Sequence, residues 1–226
     1  MAIIASYPGG QPPSPTSHTG ADELTGNFPS PQWEWNHNPS STAFSLSNGS
    51  ALSAATVTDD LYHARYTHTH RTLGPTSSGT IVLHFTNLAD GDRAGLEVLR
   101  DSRSWIGVRK DSSSLTVSMQ SGLTMTSTWQ ASSTGSEVAS KTISGSRVWL
   151  RICTDINVGS GKEASFYYST DGLGFEKLGS LVLGSEWVGV FMGYRYAIFN
   201  FATKALGGSG KTESFNVDAP GLTTSG

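Results

Sequence analysis

The stretch from Phe191 to Phe201, Phe-Met-Gly-Tyr-Arg-Tyr-Ala-Ile-Phe-Asn-Phe, contains no proline, no aspartate and a single charge. A run so rich in aromatics predicts a long strand. Side chains alternate along a strand. Met192, Tyr194, Tyr196, Ile198 and Asn200 then share one face, and Phe191, Arg195, Ala197, Phe199 and Phe201 the other. Neither face suits open water. An antiparallel sheet ordinarily buries one face and wets the other. The second face therefore requires a cover: a long loop, a flat ligand such as a sugar, or another domain.

The rest of the chain repeats this grammar. Trp33-Glu-Trp-Asn-His-Asn-Pro39 puts two tryptophans on one strand face before a turn. Tyr62 to Thr72 alternates, with His63, Arg65, Thr67, Thr69 and Arg71 on one face and Tyr62, Ala64, Tyr66, His68 and His70 on the other. Ile81, Leu83 and Phe85 share a face, as do Ile106 and Val108, and Val148, Leu150 and Ile152. Leu115–Met119 and Leu123–Gln130 predict a Ser/Thr-rich hairpin near a sheet edge. About a dozen short strands separated by turns, with no sustained helical period, define an all-β chain. The expected fold is a two-sheet antiparallel β-sandwich spanning 25–219. Residues 1–24 are expected to be a Pro/Gly-rich linker or arm and 220–226 a tail.

The chain has 226 residues, enough for one large domain with a full core. A net charge of -3 gives no electrostatic footprint for nucleic acid or an anionic membrane. No apolar run reaches the roughly 18 residues that a spanning helix needs. The start, Met-Ala-Ile-Ile-Ala, lacks the basic flank of a signal peptide. The lone cysteine, Cys153, reads as a buried small apolar residue.

No nucleophile elbow, His-Glu-x-x-His, phosphate loop or Cys-x-x-Cys occurs. Asp90 and Asp92 sit in a glycine turn, where a turn or weak cation-binding role outweighs acid–base work. His68 and His70 share a strand face but lack a third ligand, so a structural role is expected. Asp218, near the end of the last strand, is a candidate calcium ligand; no cofactor is required, and calcium is possible. The outward residues suggest more. If the core assignments hold, His63, Arg65, Arg71, Trp105, Arg109, Trp149, Arg151, Arg195 and Phe199 all project from one face. Indoles stack on sugar C–H surfaces, and guanidinium forks bind hydroxyls and carboxylates. The bland alternative is the ordinary outside of a sheet.

Four stretches, in this order, carry a resemblance: Trp33 to Pro39; Ala64-Arg65 to Thr72 with its Gly74-Pro75 stop; Asp90-Gly-Asp-Arg-Ala-Gly-Leu96; and Phe191 to Lys204 with Gly207-Gly208. Together they resemble the C-terminal β-sandwich of glycoside hydrolase family 43 β-xylosidases and α-L-arabinofuranosidases, also classed as carbohydrate-binding module family 91. The resemblance implies a concanavalin A-like jelly roll and a secreted, extracellular protein. It implies xylan or xylo-oligosaccharides as ligand and a family 43 catalytic propeller as partner. It places catalysis in that preceding propeller, so this stretch is expected to be non-catalytic, and it implies that a sandwich aromatic helps close the active-site pocket. Phe199 or Phe201, with Arg195 nearby, is the candidate by position. Two rival expectations remain: a purely structural accessory domain without sugar affinity, and a polysaccharide-degrading enzyme on the same scaffold.

Overall fold

The computed structural model describes residues 19–25, 30–39, 44–128, 130–157, 159, 161–184 and 193–220. In chain order the strands are β1 (Gly20–Asp22), β2 (Trp33–Trp35), β3 (Phe44–Ser45), β4 (Ser50–Ser53), β5 (His68–Arg71), β6 (Thr76–His84), β7 (Asp92–Leu99) and β8 (Ser102–Asp111). They continue as β9 (Ser114–Met125), β10 (Ala131–Thr142), β11 (Arg147–Asp155), β12 (Glu163–Ser169), β13 (Glu176–Val182), β14 (Arg195–Ala202) and β15 (Ser209–Asp218). Among the described residues a single 3-10 turn occurs, at Leu61–His63. One sheet has the order β13-β12-β11-β6-β15-β4-β3, with β1 added alongside β15; the other runs β10-β9-β8-β7-β14-β5-β2. All of these strand pairs are antiparallel. This is the two-sheet sandwich that the alternation predicts.

The core lies between the sheets and follows from that alternation. Ile81, Leu83, Val148, Leu150, Ile152, Phe166 and Phe215 from the eight-stranded sheet are buried with Leu96, Val98, Ile106, Val108, Met119, Tyr196 and Ile198 from the seven-stranded one. Burying each such side chain stabilises by about 1.5–3 kcal/mol, which makes these apolar rows the main drive for stacking. Polar groups tie the layers together. The Tyr196 hydroxyl lies 2.9 Å from both Ser77 and Thr154 hydroxyls, and Asn200 donates to the Leu52 carbonyl at 2.7 Å.

Several local expectations change. Tyr62 to Thr72 is not one strand. Its first half forms the 3-10 turn and a connection, and only His68–Arg71 joins the sheet. Asp60 holds that turn by accepting from the Tyr62 amide at 2.9 Å, so a capping carboxylate overrides the alternating pattern. Leu115–Met119 and Leu123–Gln130 are not the two arms of a hairpin. Ser114–Met125 is continuous and lies between β8 and Ala131–Thr142, and β10 is the sheet edge. Gly20–Asp22, read as part of the arm, pairs with Phe215–Val217. Cys153 is half-buried on an outer face rather than in the core, because Val148, Leu150 and Ile152 take the inward positions. Phe191 and Met192 lie outside the described residues; β14 begins at Arg195.

Candidate binding site

The outer face of the seven-stranded sheet answers the question of the cover. Phe199 and Phe201, on β14, are 1% and 3% exposed, and Trp105 on β8 is 4% exposed. They pack with Leu61, Ala64 and Leu123 in a cluster separate from the main core. Leu61 and Ala64 belong to the connection from β4 to β5, which passes from one sheet to the other. Of the three covers that the aromatic strand allows, a long loop is the one present. The expectation that Trp105, Phe199 and Phe201 are open to a ligand is therefore corrected: their rings meet the chain's own loop.

Local chemistry fixes that loop. Arg103, fully buried on β8, donates to Asp60 at 3.2 Å and stacks over the Tyr62 ring at 5.0 Å. Asp60 also binds His63 at 2.7 Å. Thr58 donates its amide to the Ala202 carbonyl at 2.8 Å, beside a parallel bridge between Val57 and Ala202. Glu97, fully buried beneath the same loop, has one carboxylate oxygen without a hydrogen-bond partner among the described residues. Burial pushes its carboxyl up to about 8, against the opposing charge of Arg103. It is therefore held protonated at neutral pH.

The shared face proposed from sequence does not exist as one surface. Trp149 and Arg151 lie on β11 of the eight-stranded sheet, whereas Trp105, Arg109, Arg195 and Phe199 belong to the other sheet. Alternation gives inside versus outside but cannot say which of two outsides. On its own face Arg151 stacks over Phe175 at 3.7 Å, and Arg147 stacks over Trp149 at 4.9 Å. Arg109 is drawn toward the β10 edge by Glu137 at 2.6 Å. Arg65 is exposed on the covering connection rather than on a strand. Asp218 is exposed at the end of β15. Among the described residues no group of three or more His, Cys, Asp or Glu gathers to hold a metal.

Two predicted residues do come together. Arg71 on β5 and Arg195 on β14 are register partners. Like charges directly opposite repel, and Glu34 on β2 answers both. It accepts from Arg195 and lies 3.7 Å from Arg71, while Arg195 also donates to the Thr69 hydroxyl at 3.2 Å. The Arg195 hydrogen bond, more than any other contact, holds the Glu34 carboxyl below its ordinary range. Three depressions meet at this triad. A cleft of about 550 Å³ is lined by Arg71, Arg195, Arg100, Lys162, Tyr194 and Leu183, among others. A second, about 490 Å³, holds Arg71, Glu34, Gln32 and His70. A third, about 310 Å³, holds Glu34, Arg195, Thr69, Leu99 and Tyr62. Glu34, Arg100, Lys162 and Tyr194 were not singled out as ligand-binding residues from sequence. The one signal that could have found Glu34 is its place between Trp33 and Trp35, which share a strand face at i, i+2 and leave Glu34 on the opposite one.

The remaining candidates are structural. Asp92 is buried, accepts from the Ala89 amide at 2.8 Å, and is pushed up by burial. A Cβ on Gly208 would lie 1.7 Å from its Oδ2, so the Gly207-Gly208 step exists to admit that carboxylate. Asp90 takes the Lys204 ammonium at 2.9 Å and the Ser112 amide at 2.7 Å, a turn role as expected. His68 stands edge-on to Trp35, ring centroids 3.6 Å apart. Neither of its nitrogens has a hydrogen-bond partner among the described residues, and burial pushes it down to about 3. Its structural role is thus apolar packing of a neutral ring.

The stretches that carry the family resemblance supply β2, β5, β7 and β14, which are consecutive neighbours in the seven-stranded sheet. Two antiparallel sheets stacked in this way, with that set of strands, define a concanavalin A-like sandwich. The family described as beta xylosidase C-terminal concanavalin A-like domain matches residues 21–217, and the chain belongs to it. A solved GH43 glycoside hydrolase, engineered to display both endo-xylanase and exo-arabinofuranosidase activity, is 36% identical with a TM-score of 0.86. The match covers 92% of this chain and 42% of that one. A bifunctional GH43-CE protein from Bacteroides eggerthii is 25% identical, TM-score 0.77, over 88% of this chain and 25% of that one. The GH43 protein BlXynB from Bacillus licheniformis shares the fold at 15% identity and TM-score 0.73, over 90% of this chain and 40% of that one. The chain thus spans well under half the length of each. No curated protein sequence matches it.

Proposed function

We propose that the chain is a non-catalytic accessory domain of a family 43 glycoside hydrolase. It engages xylan or xylo-oligosaccharides at the Glu34–Arg71–Arg195 corner while packed against the catalytic domain. One observation carries this reading: the strands of the family resemblance lie side by side, and their outward polar side chains gather in that corner. The charge balance there serves recognition better than folding, because exposed ion pairs contribute only about 0–1 kcal/mol each. Guanidinium forks and a carboxylate supply both donors and acceptors for vicinal hydroxyls. Action on xylan outside the cell goes with this role, and neither nucleic acid nor membrane has a part in it.

The reading is tested by affinity electrophoresis in gels containing xylan, with a cellulose derivative as control. Retardation in xylan, reduced by Arg195→Ala, is the expected result. Unretarded migration of the wild type in xylan would leave the rival, a purely structural accessory domain.

A further inference from the structure

The geometry points to a sugar acid, a hexuronate carrying a ring carboxylate, as the group held in the 550 Å³ cleft beside this corner. The sugar half of this inference rests on the reading above; the acid half rests on the cleft's own residues.

Arg71, Arg100, Lys162 and Arg195 line the cleft, and none of the described lining residues is acidic. Glu34 faces Arg71 and Arg195, and Asp101 lies 2.6 Å from Arg100 Nε. Four cationic side chains thus gather at one cleft of a chain whose net charge is -3. Arg100 is fixed as well as charged. It donates to the Gly184 carbonyl at 2.9 Å and lies over the Tyr194 ring at 4.8 Å. A guanidinium held by its other contacts loses less freedom when it grips a carboxylate.

The floor is apolar. Leu183 is 4% and Tyr194 7% exposed, and Ile156 lines the cleft with them. A bare inorganic anion would gain nothing from that floor, whereas a pyranose presents C–H faces to it and its carboxylate to the cations. The volume falls in the range of ordinary small-ligand sites and exceeds the need of a single small anion.

The test is titration calorimetry on the full chain. The ligands are a neutral xylo-oligosaccharide, the same oligosaccharide carrying one glucuronic acid branch, and inorganic phosphate. At low salt the acidic sugar should bind about ten-fold tighter than the neutral one, the order of one charge-assisted contact. That ratio should fall toward one with Lys162→Met, and also on adding salt to the wild type, a measurement that needs no variant. Equal affinity for acidic and neutral sugar would overturn the inference while leaving the proposed function standing. Phosphate displacing the acidic sugar at equal concentration would also overturn it, reducing the cleft to a general anion site. Binding of neither sugar would instead count against the proposed sugar contact itself.

Discussion

The Trp105 indole meets the Phe199 ring edge-on, centroids 5.4 Å apart, and both are sealed beneath Leu61 and Ala64. Two aromatics that point away from the main core thus form a second, smaller core under a loop. Their neighbours make the contact possible. Gly95 and Gly107 pair across β7 and β8 next to Phe199, and a Cβ on Gly95 would come within 2.2 Å of the Ile106 carbonyl oxygen. Phe199→Ala should therefore destabilise the fold by about 3–5 kcal/mol, as a cavity in a packed site does. Phe199→Leu should cost less and leave xylo-oligosaccharide affinity unchanged, since the ring is buried under the loop. Chemical unfolding and calorimetry on the same samples check both halves; a loss of affinity in a folded Phe199→Leu protein would put the ring back in the binding site.

The loop depends on one buried ion pair. Arg103 and Asp60 have side chains 0% and 6% exposed. Removing one partner of such a pair leaves an uncompensated charge and costs about 3–5 kcal/mol. Arg103→Met should fall in that range, and Arg103→Met with Asp60→Asn should recover part of it. A double-mutant cycle with no coupling between the two positions would contradict this account of how the loop is held.

Glu97 and His68 set opposite slopes of stability against pH. Glu97 moves from an ordinary value of 4.5 to about 8 on folding, because burial disfavours its charge. Between those values the unfolded chain has lost a proton that the folded chain keeps, so stability falls as pH rises through the window. His68 moves from 6.5 to about 3 for the same reason. There the unfolded chain binds a proton that the folded chain refuses, so stability falls as pH drops from 6.5 toward 3. The two slopes oppose one another where the windows overlap. Glu97→Gln should flatten the alkaline fall in denaturation midpoint, and His68→Phe the acid fall. Difference profiles parallel to wild type across those windows would show that neither group carries the linkage.

Much of the fold was legible because alternation is local. Ile81 and Leu83, Ile106 and Val108, and Val148, Leu150 and Ile152 all face inward as their spacing required. The long β10 strand was missed because its Ser/Thr-rich sequence lies at a sheet edge and is mostly exposed, so it carries no apolar signal. The site was only half legible. Arg71 and Arg195 could be found as outward residues, but their meeting depends on β5 and β14 being neighbours across more than a hundred residues. Trp149 and Trp105 carry the same outward signature, and only the sheet order separates them. The buried Glu97 and Arg103 break the expectation that an outward charge is solvated, because the cover that buries them comes from a connection between sheets.

The most direct test of the accessory role is rescue. The catalytic domain of the GH43 hydrolase that is 36% identical over this region would be produced without its own sandwich and mixed with this chain. Release of xylose or arabinose from a short oligosaccharide would be followed as this chain is titrated in. Saturable recovery of activity, lowered at least about ten-fold in apparent affinity by Arg195→Ala, is the expected result. No recovery at any concentration, with both proteins folded, would contradict it.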